Sequence, residues 1–291
     1  MRTQSCTGDQ IGFMKVISGD SYMARVFIDP VNRRISVKGC QGPDLQGLAR
    51  ELIDIAKSHQ LSKVIFYCLD NAAPYLDAAG YILEGRIPGF FRGREAFCHS
   101  YFVDPGRGQS PYLEQEEQIL DQLGQNKKKV LPPLPEGYSV RPVMAGDVEA
   151  LVHLYRTVFS SYPSPLFDPA YVKRVMESHV YFLAVFYEER PVSAASAEID
   201  HNNFNAEMTD CATLDGHRGR GLLTVLLDLI EKEMWKLNMG VVYSLSRAGS
   251  FGMNAALHKM GYAFKGKFIN NCHIGGRFEN MNLWVKHEKN G

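Results

Sequence analysis

The sequence predicts an α/β protein with a mixed β-sheet whose middle is a parallel β-α-β unit. Two observations lead to this fold class. From residue 138 onward, β-rich runs alternate with amphipathic helical runs, and a similar helix–strand order occurs earlier, at residues 44–69. The 291 residues, of which 45% are hydrophobic and 22% charged, are enough for two globular domains of ordinary size.

The clearest change of composition lies at residues 104–137. This segment opens with Gly, Pro and Ser, continues as a polar helical run, and ends in three lysines followed by prolines. Because proline cannot continue a helix, we predict a linker with a short helix here. The sequence then divides into a smaller α/β domain at 1–103 and a C-terminal domain at 138–291.

The elements of the C-terminal part follow from hydrophobic periodicity and helix-start signals. The predicted strands are YSVRPV, the two runs within VYFLAVFYEERPVSAASAEI, NAEMTDCATL, GVVYSLSRA and NMNLWVK. The predicted helices are AGDVEALVHLYRTVF, capped by Asp147, then DPAYVKRVMES, LLTVLLDLIEKEM and FGMNAALHKMG.

The N-terminal part repeats this plan in outline. Aligning AAGYILEGRI with HKMGYAFKGKF on Gly80 and Gly261 also matches the following tyrosines, and Gly85 with Gly266. We interpret the first part as a degenerate duplicate of the second, although two unrelated units sharing helix-stop glycines would look similar. Its helix is preceded by GCQGPDLQG, which has no arginine, so we do not expect it to hold the same ligand.

Composition excludes several classes of function. Lysine plus arginine equals aspartate plus glutamate at 32 each, which argues against a nucleic-acid binder. No run approaches the ~20 apolar residues that span a membrane. The six cysteines form no CxxC pair, so we expect no metal site and no disulfide framework. The N-terminus lacks a secretory apolar region, and we expect a cytoplasmic protein with reduced thiols.

The turn DGHRGRGLL, at residues 215–223, stands directly before an apolar helix. Unpaired N–H groups and the positive end of the helix dipole favour an anion there, and glycines let it approach the backbone. We predict a pyrophosphate site, with an ordinary exposed turn as the alternative. Dinucleotide and P-loop motifs are absent. The residues expected at the phosphates are Arg218, Gly219, Arg220, Gly221, Leu222 and Leu223.

This turn resembles the pyrophosphate loop of the GNAT acetyltransferase superfamily. Arg218 and Gly221 match its pattern, whereas Leu223 stands where the family has Gly or Ala. The resemblance covers residues 138–291 and includes FGMNAALHKMGYAFKGKF. It implies a GNAT-type sheet, acetyl-CoA as the donor, and transfer to an amine. It also implies that the backbone of Ala212, Thr213 and Leu214 contacts the pantetheine arm, while Asn254 either caps its helix or binds that arm.

The reaction needs a base, because an alkylammonium with a pKa of about 10.4 must lose a proton before it attacks a thioester. Strand alternation predicts Glu207 on one face and Asp210 on the other. We rank Glu207 above Asp210 as the base, and either one is equally compatible with orienting the substrate. His258 occupies the position of a tyrosine that protonates the leaving thiolate in many related enzymes, and a helix-surface histidine is the alternative.

Two stretches are candidates for the acceptor site. SSYPSPLFDPAY contains Tyr162 and lies where related enzymes bind the acceptor, and FINNCHIGGRFENMNLW contains Asn271 and Arg277. Arg277 or the asparagines would hold a carboxylate, and Glu198 or Asp210 a second ammonium. This arrangement fits a free amino acid with a spare amino group.

Nearly the whole chain resembles the beta-lysine N-acetyltransferase family, with TDCATL before the loop and NNCHIGG near the end. The resemblance implies acetylation of the distal amino group of beta-lysine, giving a compatible solute, with a lysine aminomutase as the pathway neighbour. The alternatives are acetylation of another diamine or polyamine, or a non-catalytic acyl-CoA sensor. The sequence leaves a homo-oligomer open.

Overall fold

The computed structural model describes residues 12–124 and 133–288. The N-terminal half contains β1 (Phe13–Gly19), β2 (Tyr22–Asp29), β3 (Arg34–Gln41), α1 (Leu45–Ser58), β4 (Lys63–Cys68), α2 (Ala73–Ala78), β5 (Ile82–Phe91) and β6 (Arg94–Phe102). Helix α3 (Leu113–Gly124) follows, close to its predicted position. The lysine run of the predicted linker, at residues 127–129, lies outside the described residues.

The C-terminal half contains β7 (Tyr138–Pro142), α4 (Val148–Val158), α5 (Pro169–Met176), β8 (Val180–Tyr187), β9 (Arg190–Asp200), β10 (Asn205–Thr213), α6 (Leu222–Lys236), β11 (Val241–Arg247), α7 (Phe251–Lys259), β12 (Ala263–Ile274) and β13 (Arg277–His287). Strands β10 and β11 run parallel and are joined by α6, which confirms the predicted β-α-β unit. The polar stretch before the last predicted strand is the β12–β13 hairpin.

The prediction that the Asp147 side chain caps α4 is wrong. The Asp147 carboxylate accepts a hydrogen bond from the Met144 N–H at 2.8 Å and binds both Nη atoms of Arg141 at 2.6 and 2.9 Å. It makes no hydrogen bond to the first turn of α4. A short 3₁₀ turn at Ala145–Asp147 precedes the helix, and Asp147 closes that turn instead.

All thirteen strands form one sheet, in the order β1-β2-β3-β4-β6-β5-β12-β13-β11-β10-β9-β8-β7. The order of β1 to β6 reappears in β8 to β13, read from the opposite edge. The two halves meet where Gly85 of β5 pairs with Gly266 of β12, which are the glycines that the sequence alignment matched. The repeated order supports the interpretation as a duplicate, and the domain boundaries stay predictions because one sheet runs through both halves.

Glycine is required at this junction. A Cβ on Gly266 would overlap the Glu84 carbonyl oxygen and the Gly85 Cα, and its φ of 153° is unfavourable for other residues. A Cβ on Gly85 would lie 3.1 Å from the Lys265 carbonyl oxygen. The backbones of β5 and β12 therefore approach more closely than side chains would allow.

Helices cover the two faces of the sheet unequally. In the C-terminal half, α4 and α5 pack on one face, called here the α4 face, and α6 and α7 pack on the other. The N-terminal half places α1 and α2 on one face only. Its opposite face, called here the bare face, supplies Ile87, Ala96 and Cys98 to the core of the α4 face. The N-terminal half therefore forms a wall beside that core.

Helix α3 is not a free connection between the halves. Its Leu123 is buried in the core under α6 and α7. Its buried Glu116 accepts hydrogen bonds from Lys267 at 3.1 Å and from the Asn280 side chain at 2.9 Å. The part of the predicted linker that the structure describes is thus packed against the C-terminal half. Within residues 12–124 and 133–288, no helix has the length and apolarity to cross a membrane.

Candidate active site

Strands β10 and β11 separate in the middle of the sheet. Their ladder pairs Asn205–Glu207 with Val241–Tyr243. All residues of both strands are described by the structure, and none beyond these pairs with the other strand. The Ser244 hydroxyl donates to the Met208 carbonyl oxygen at 2.7 Å and closes the narrow end of the opening. Beyond it, β10 continues to Thr213 without pairing to β11. The opening offers backbone hydrogen-bonding groups to an extended ligand arm.

The predicted pantetheine contacts lie along this opening, at the end of β10. Thr213 offers its carbonyl oxygen to Arg218 Nε at 3.2 Å. Ala212 pairs with Ala194 of β9, and the Leu214 N–H already donates to the Val192 carbonyl oxygen at 2.9 Å. The Leu214 N–H is therefore already used by the sheet, and Ala212 lies in the same ladder with β9.

The glycine turn has the geometry of an anion site. Gly219 and Gly221 have φ values of 75° and 76°, and Gly221 begins α6 with no side-chain cap. A Cβ on Gly219 would meet no atom within 4 Å, so the space in front of the turn is open. The first N–H groups of α6 are therefore available to a ligand.

The side chains around the turn suit this use. Arg220 is exposed, and Arg218 pairs with Asp215 at 2.9 Å. Leu222 and Leu223 pack into the core under α6, so the leucine that departs from the family pattern does not project into the anion site. His217 accepts or donates a hydrogen bond with the Tyr138 hydroxyl at 2.8 Å, which fixes the turn to β7. No local sequence pattern predicts this contact.

We expect Arg218→Glu to raise the dissociation constant for coenzyme A about 10- to 100-fold, because a charge-assisted hydrogen bond is replaced by repulsion. Titration calorimetry with coenzyme A and with pantetheine, which has no pyrophosphate, measures this. Pantetheine binding should not change. Arg50→Glu, an exposed arginine on α1, is the control. Unchanged affinity of Arg218→Glu for coenzyme A would contradict the phosphate role.

A β-bulge brings Asp210 to the same face as Glu207. The register with β9 shifts between Thr209 and Ala212, and Asp210 has a φ of 53°. The Asp210 carboxylate accepts a hydrogen bond from Ser196 Oγ at 2.6 Å, and Tyr162, on the α4 face, stabilises its charge. The predicted placement on opposite faces is wrong, because a bulge interrupts the alternation on which it relied.

Both carboxyls have raised pKa values. Burial, followed by the charge of Glu198, raises the pKa of Glu207 to about 7. Burial also raises the pKa of Asp210 to about 6. Hydrogen bonds that stabilise the charged carboxylate oppose this rise by lowering the pKa. Glu198 is exposed and lies directly across from Glu207 on β9. A carboxylate with a pKa near the working pH is suited to accept a proton from an amine.

Tyrosines surround these acids. Tyr243 stabilises the charge of Glu207, and the hydroxyl of buried Tyr155 has no hydrogen-bond partner within the described residues. Burial and the charge of Asp210 raise the pKa of Tyr155 and Tyr171. Tyr155 and Tyr243 were not among the predicted site residues, whereas Tyr171 ends the predicted acceptor stretch SSYPSPLFDPAY. Only their approach to the acids in the folded chain identifies them.

The structure does not bring His258 to the acids. Its ring packs edge-to-face on Trp284, with centroids 6.3 Å apart, beside Leu120 and Leu123 of α3. Trp284 belongs to the core under α6 and α7, on the other side of the sheet from Asp210. The role of His258 as proton donor stays a prediction.

Asn254 is fully buried and its amide is engaged within the protein. Its Oδ1 accepts from Ser246 Oγ, Asn282 Nδ2 and Trp284 Nε1 at 2.8–3.0 Å. Its Nδ2 donates to the carbonyl oxygens of Arg247 and Ser250 at 2.9 and 2.8 Å. Asn254 was predicted either to cap its helix or to bind the pantetheine arm. The geometry fits support of the helix start, because both polar atoms of the Asn254 side chain are already hydrogen-bonded within the protein.

The two predicted acceptor stretches meet at the hairpin turn between β12 and β13. The Gly276 N–H donates to Ser161 Oγ at 3.2 Å, next to Tyr162. Arg277, however, pairs with Glu279 at 2.9 Å and lies over the Tyr112 ring.

The other predicted carboxylate contact in these stretches is Asn271. Its side chain is buried, with Oδ1 unpartnered within the described residues. Its carbonyl oxygen accepts a hydrogen bond from Arg34 Nη1 at 3.1 Å. Neither Arg277 nor Asn271 therefore contacts Glu207 or Asp210. Within the described chain, no three potential metal ligands cluster.

Comparisons with known proteins identify the family of the chain. The acetyltransferase (GNAT) family matches residues 148–262. The N-acetyltransferase YodP of Bacillus subtilis is 33% identical over 273 residues, which cover 94% of this chain and 99% of YodP. The beta-lysine N(6)-acetyltransferase of Methanosarcina mazei is 34% identical, covering 82% of this chain and 96% of that protein, and that of Methanococcus maripaludis is 31% identical, covering 89% and 94%. The chain therefore belongs to the GNAT superfamily and its beta-lysine N-acetyltransferase family, and it is an acyltransferase.

Proposed function

We propose that this protein transfers an acetyl group from acetyl-CoA to the distal amino group of beta-lysine. The observation that carries the proposal is the group of three carboxylates, Glu198, Glu207 and Asp210, at the separation of β10 and β11. Two of them have pKa values raised towards neutrality. Two relatives that match most of the chain are named beta-lysine N(6)-acetyltransferases.

The chain has residues that fit acetyl-CoA. The N–H groups at the start of α6, with Arg218 and Arg220, would hold the pyrophosphate. The free edge of β10 at Thr213 would contact the pantetheine arm. Bound there, acetyl-CoA supplies an acyl group activated as a thioester.

Glu207 would accept the proton of the distal ammonium, which enters the site charged. The amine nitrogen then forms a bond to the acyl carbon, and the carbon–sulfur bond breaks with its electron pair going to sulfur. The acylated nitrogen then loses its second proton, which the thiolate takes up to give coenzyme A, and the proton held by Glu207 leaves to solvent, so charge and atoms balance. Asp210 would orient Tyr162 at the acceptor, or serve as the base in place of Glu207.

Glu198 would bind the second ammonium of the acceptor. It is exposed on β9, directly across from Glu207, so it can reach a charge that stays in contact with water. Acetylation removes one positive charge from beta-lysine and leaves a product that is neutral overall. Such a product suits a compatible solute. We propose a cytoplasmic enzyme that takes its substrate from a lysine aminomutase.

Thiol release from acetyl-CoA, measured with beta-lysine, lysine, ornithine, spermidine or no acceptor, tests this function. We expect selective turnover of beta-lysine. Turnover of spermidine instead would keep the acyl transfer and replace the acceptor by a polyamine. Binding of coenzyme A without turnover of any acceptor would reject the catalytic proposal in favour of a sensor.

A further inference from the structure

The end of strand β5 bends towards the α4 face of the C-terminal half. Gly89 has a φ of 82°, which favours glycine, and a Cβ on it would lie 3.6 Å from the Val241 Cβ at the start of β11. Phe90 and Phe91 follow and pack on the core of the α4 face. Residues 89–93, called here the hairpin tip, therefore belong to the N-terminal half and lie on the C-terminal half.

Three hydrogen bonds hold the hairpin tip to β10 and to the turn before it. Asn205 Nδ2 donates to the Phe90 carbonyl oxygen at 2.8 Å. The Arg92 N–H donates to the Asn203 carbonyl oxygen at 3.2 Å, and Arg92 Nε donates to the Asn202 carbonyl oxygen at 2.6 Å. The position of the hairpin tip relative to β10 is thus fixed.

The first of these bonds places Phe90 next to Glu207. Ala206 and Met208 lie in the core under α6 and α7, so strand alternation puts Asn205 and Glu207 on the α4 face, about 7 Å apart. The side chain that holds the Phe90 backbone is therefore the neighbour of Glu207 on the same face of the same strand.

Phe90 also contacts the neighbour of Glu207 on the next strand. Tyr243 of β11 pairs directly with Glu207, so their side chains lie side by side on one face. The Phe90 ring centroid is 5.7 Å from that of Tyr243, 5.6 Å from that of Tyr67 and 4.9 Å from that of Phe91. Burial raises the pKa of both tyrosines well above its usual range, so both rings are uncharged. Neutral aromatic rings thus border Glu207 on the β11 side.

The β9 side of Glu207 stays open. Glu207 is half-buried, and Glu198, directly across from it on β9, is exposed. The cation of the hairpin tip, Arg92, has its guanidinium over the Phe204 ring, 6.0 Å from the ring centroid. The hairpin tip therefore brings apolar surface to one side of Glu207, and an acceptor can approach from the other.

Several charged groups also act on the Glu207 carboxylate. The charges of Glu198 and Asp210 raise its pKa, whereas the charge of Lys38 on β3 and the contact with Tyr243 lower it. Burial raises the pKa of Glu207 more than any of these groups changes it. The residues that bury Glu207 therefore decide how tightly it holds a proton.

We propose that Phe90 shields the Glu207 carboxylate from water and so strengthens it as the base, which makes Phe90 a positioning residue supplied by the N-terminal half. The inference rests on the proposed function, in which Glu207 takes the proton of the acceptor. Apolar surface beside a carboxylate disfavours its charged form, and a carboxylate that holds a proton more tightly accepts one more readily.

Carbon-13 NMR titration of the Glu207 carboxyl, assigned by its loss in Glu207→Gln, tests this in the unaltered protein and in Phe90→Ala. We expect a midpoint at about 7 in the unaltered protein. In Phe90→Ala the midpoint should fall by about 1–2 pH units, because water reaches the carboxylate. Phe90→Leu keeps an apolar side chain and should restore most of the midpoint. Phe13→Ala, an exposed phenylalanine of β1, is the matched control and should leave it unchanged.

The pH profile of kcat/KM for beta-lysine should move in the same direction. A lower pKa keeps Glu207 deprotonated at lower pH, so the rise of kcat/KM with pH should occur about 1–2 pH units lower in Phe90→Ala. The weaker base should lower the plateau at high pH about 3- to 10-fold. The dissociation constant for coenzyme A should stay unchanged, because the hairpin tip lies away from the glycine turn.

The outcomes separate the two proposals. An unchanged titration midpoint in Phe90→Ala would overturn the role of Phe90, and the proposed function would stand as long as beta-lysine is acetylated. If the unaltered protein acetylates no acceptor while the midpoint falls as expected, the proposed function fails and the shielding of Glu207 stands without a catalytic role. Should Phe90→Ala not fold, the double variant Arg92→Ala with Asn205→Ala frees the hairpin tip and keeps every ring. An unchanged midpoint in that variant would overturn the role of the hairpin tip.

Discussion

Replacing Glu207 by glutamine should lower kcat about 10²- to 10⁴-fold, because a general base typically contributes that much. Glutamine keeps the shape of the side chain and cannot accept the proton. Coenzyme A binding should stay unchanged, since the glycine turn lies beyond the end of β10. Steady-state thiol release together with calorimetric titration of coenzyme A separates the two effects.

The pH dependence should change with the same substitution. A carboxyl whose pKa is raised to about 7 is protonated below that pH, so the population of active base is lost as pH falls through about 7. For the unaltered enzyme, kcat/KM should therefore rise with pH and level off above this value. Glu207→Gln should lose that rise. If Asp210→Asn loses it and Glu207→Gln retains it, Asp210 is the base.

Lys63→Met should lower the free energy of unfolding by about 3–5 kcal/mol, the usual effect of leaving one charge of a buried pair alone. The ammonium of Lys63 is fully buried and lies 2.7 Å from the Glu84 carboxylate and 2.9 Å from the Ile269 carbonyl oxygen. Glu84 also accepts from the Ile269 N–H at 2.6 Å. The pair therefore joins β4 and β5 to β12 at the junction of the halves.

Urea unfolding monitored by circular dichroism measures this loss of stability. The control is Lys57→Met, whose exposed ion pair with Asp54 should contribute less than about 1 kcal/mol. The double variant Lys63→Met with Glu84→Gln should recover part of the loss, because no buried charge remains unpaired. A loss below about 1 kcal/mol for Lys63→Met would show that the Glu84 carboxylate is compensated without the lysine.

The sequence predicted those features that depend on local patterns. The β10–α6–β11 unit follows from periodicity, and the anion site at Gly219 and Gly221 follows from helix-start chemistry over a few residues. The repeated order of strands was visible because glycines mark it, including Gly85 and Gly266.

Features that depend on distant pairing were not predictable in this way. The bulge at Asp210 exists only in the register between β10 and β9, so strand alternation assigned the wrong face. Arg277 was predicted to hold the acceptor carboxylate, but Glu279 lies two residues away on the same face of β13 and pairs with it, a local contact that strand alternation could have indicated. Tyr67 of β4 packs against Phe268 of β12 only because the sheet brings its two halves together, which no local pattern shows.

The contact of Gly85 with Gly266 has a consequence for how the chain can be divided. A fragment containing only residues 138–288 would leave β12 as an open strand edge with unpaired N–H and C=O groups. No side chain would shield the backbone of this edge at Gly266. Exposed edges of this kind promote association with other chains. We therefore expect the N-terminal half to protect the C-terminal half from aggregation as well as to line its candidate site, and a separated C-terminal half to lose both effects.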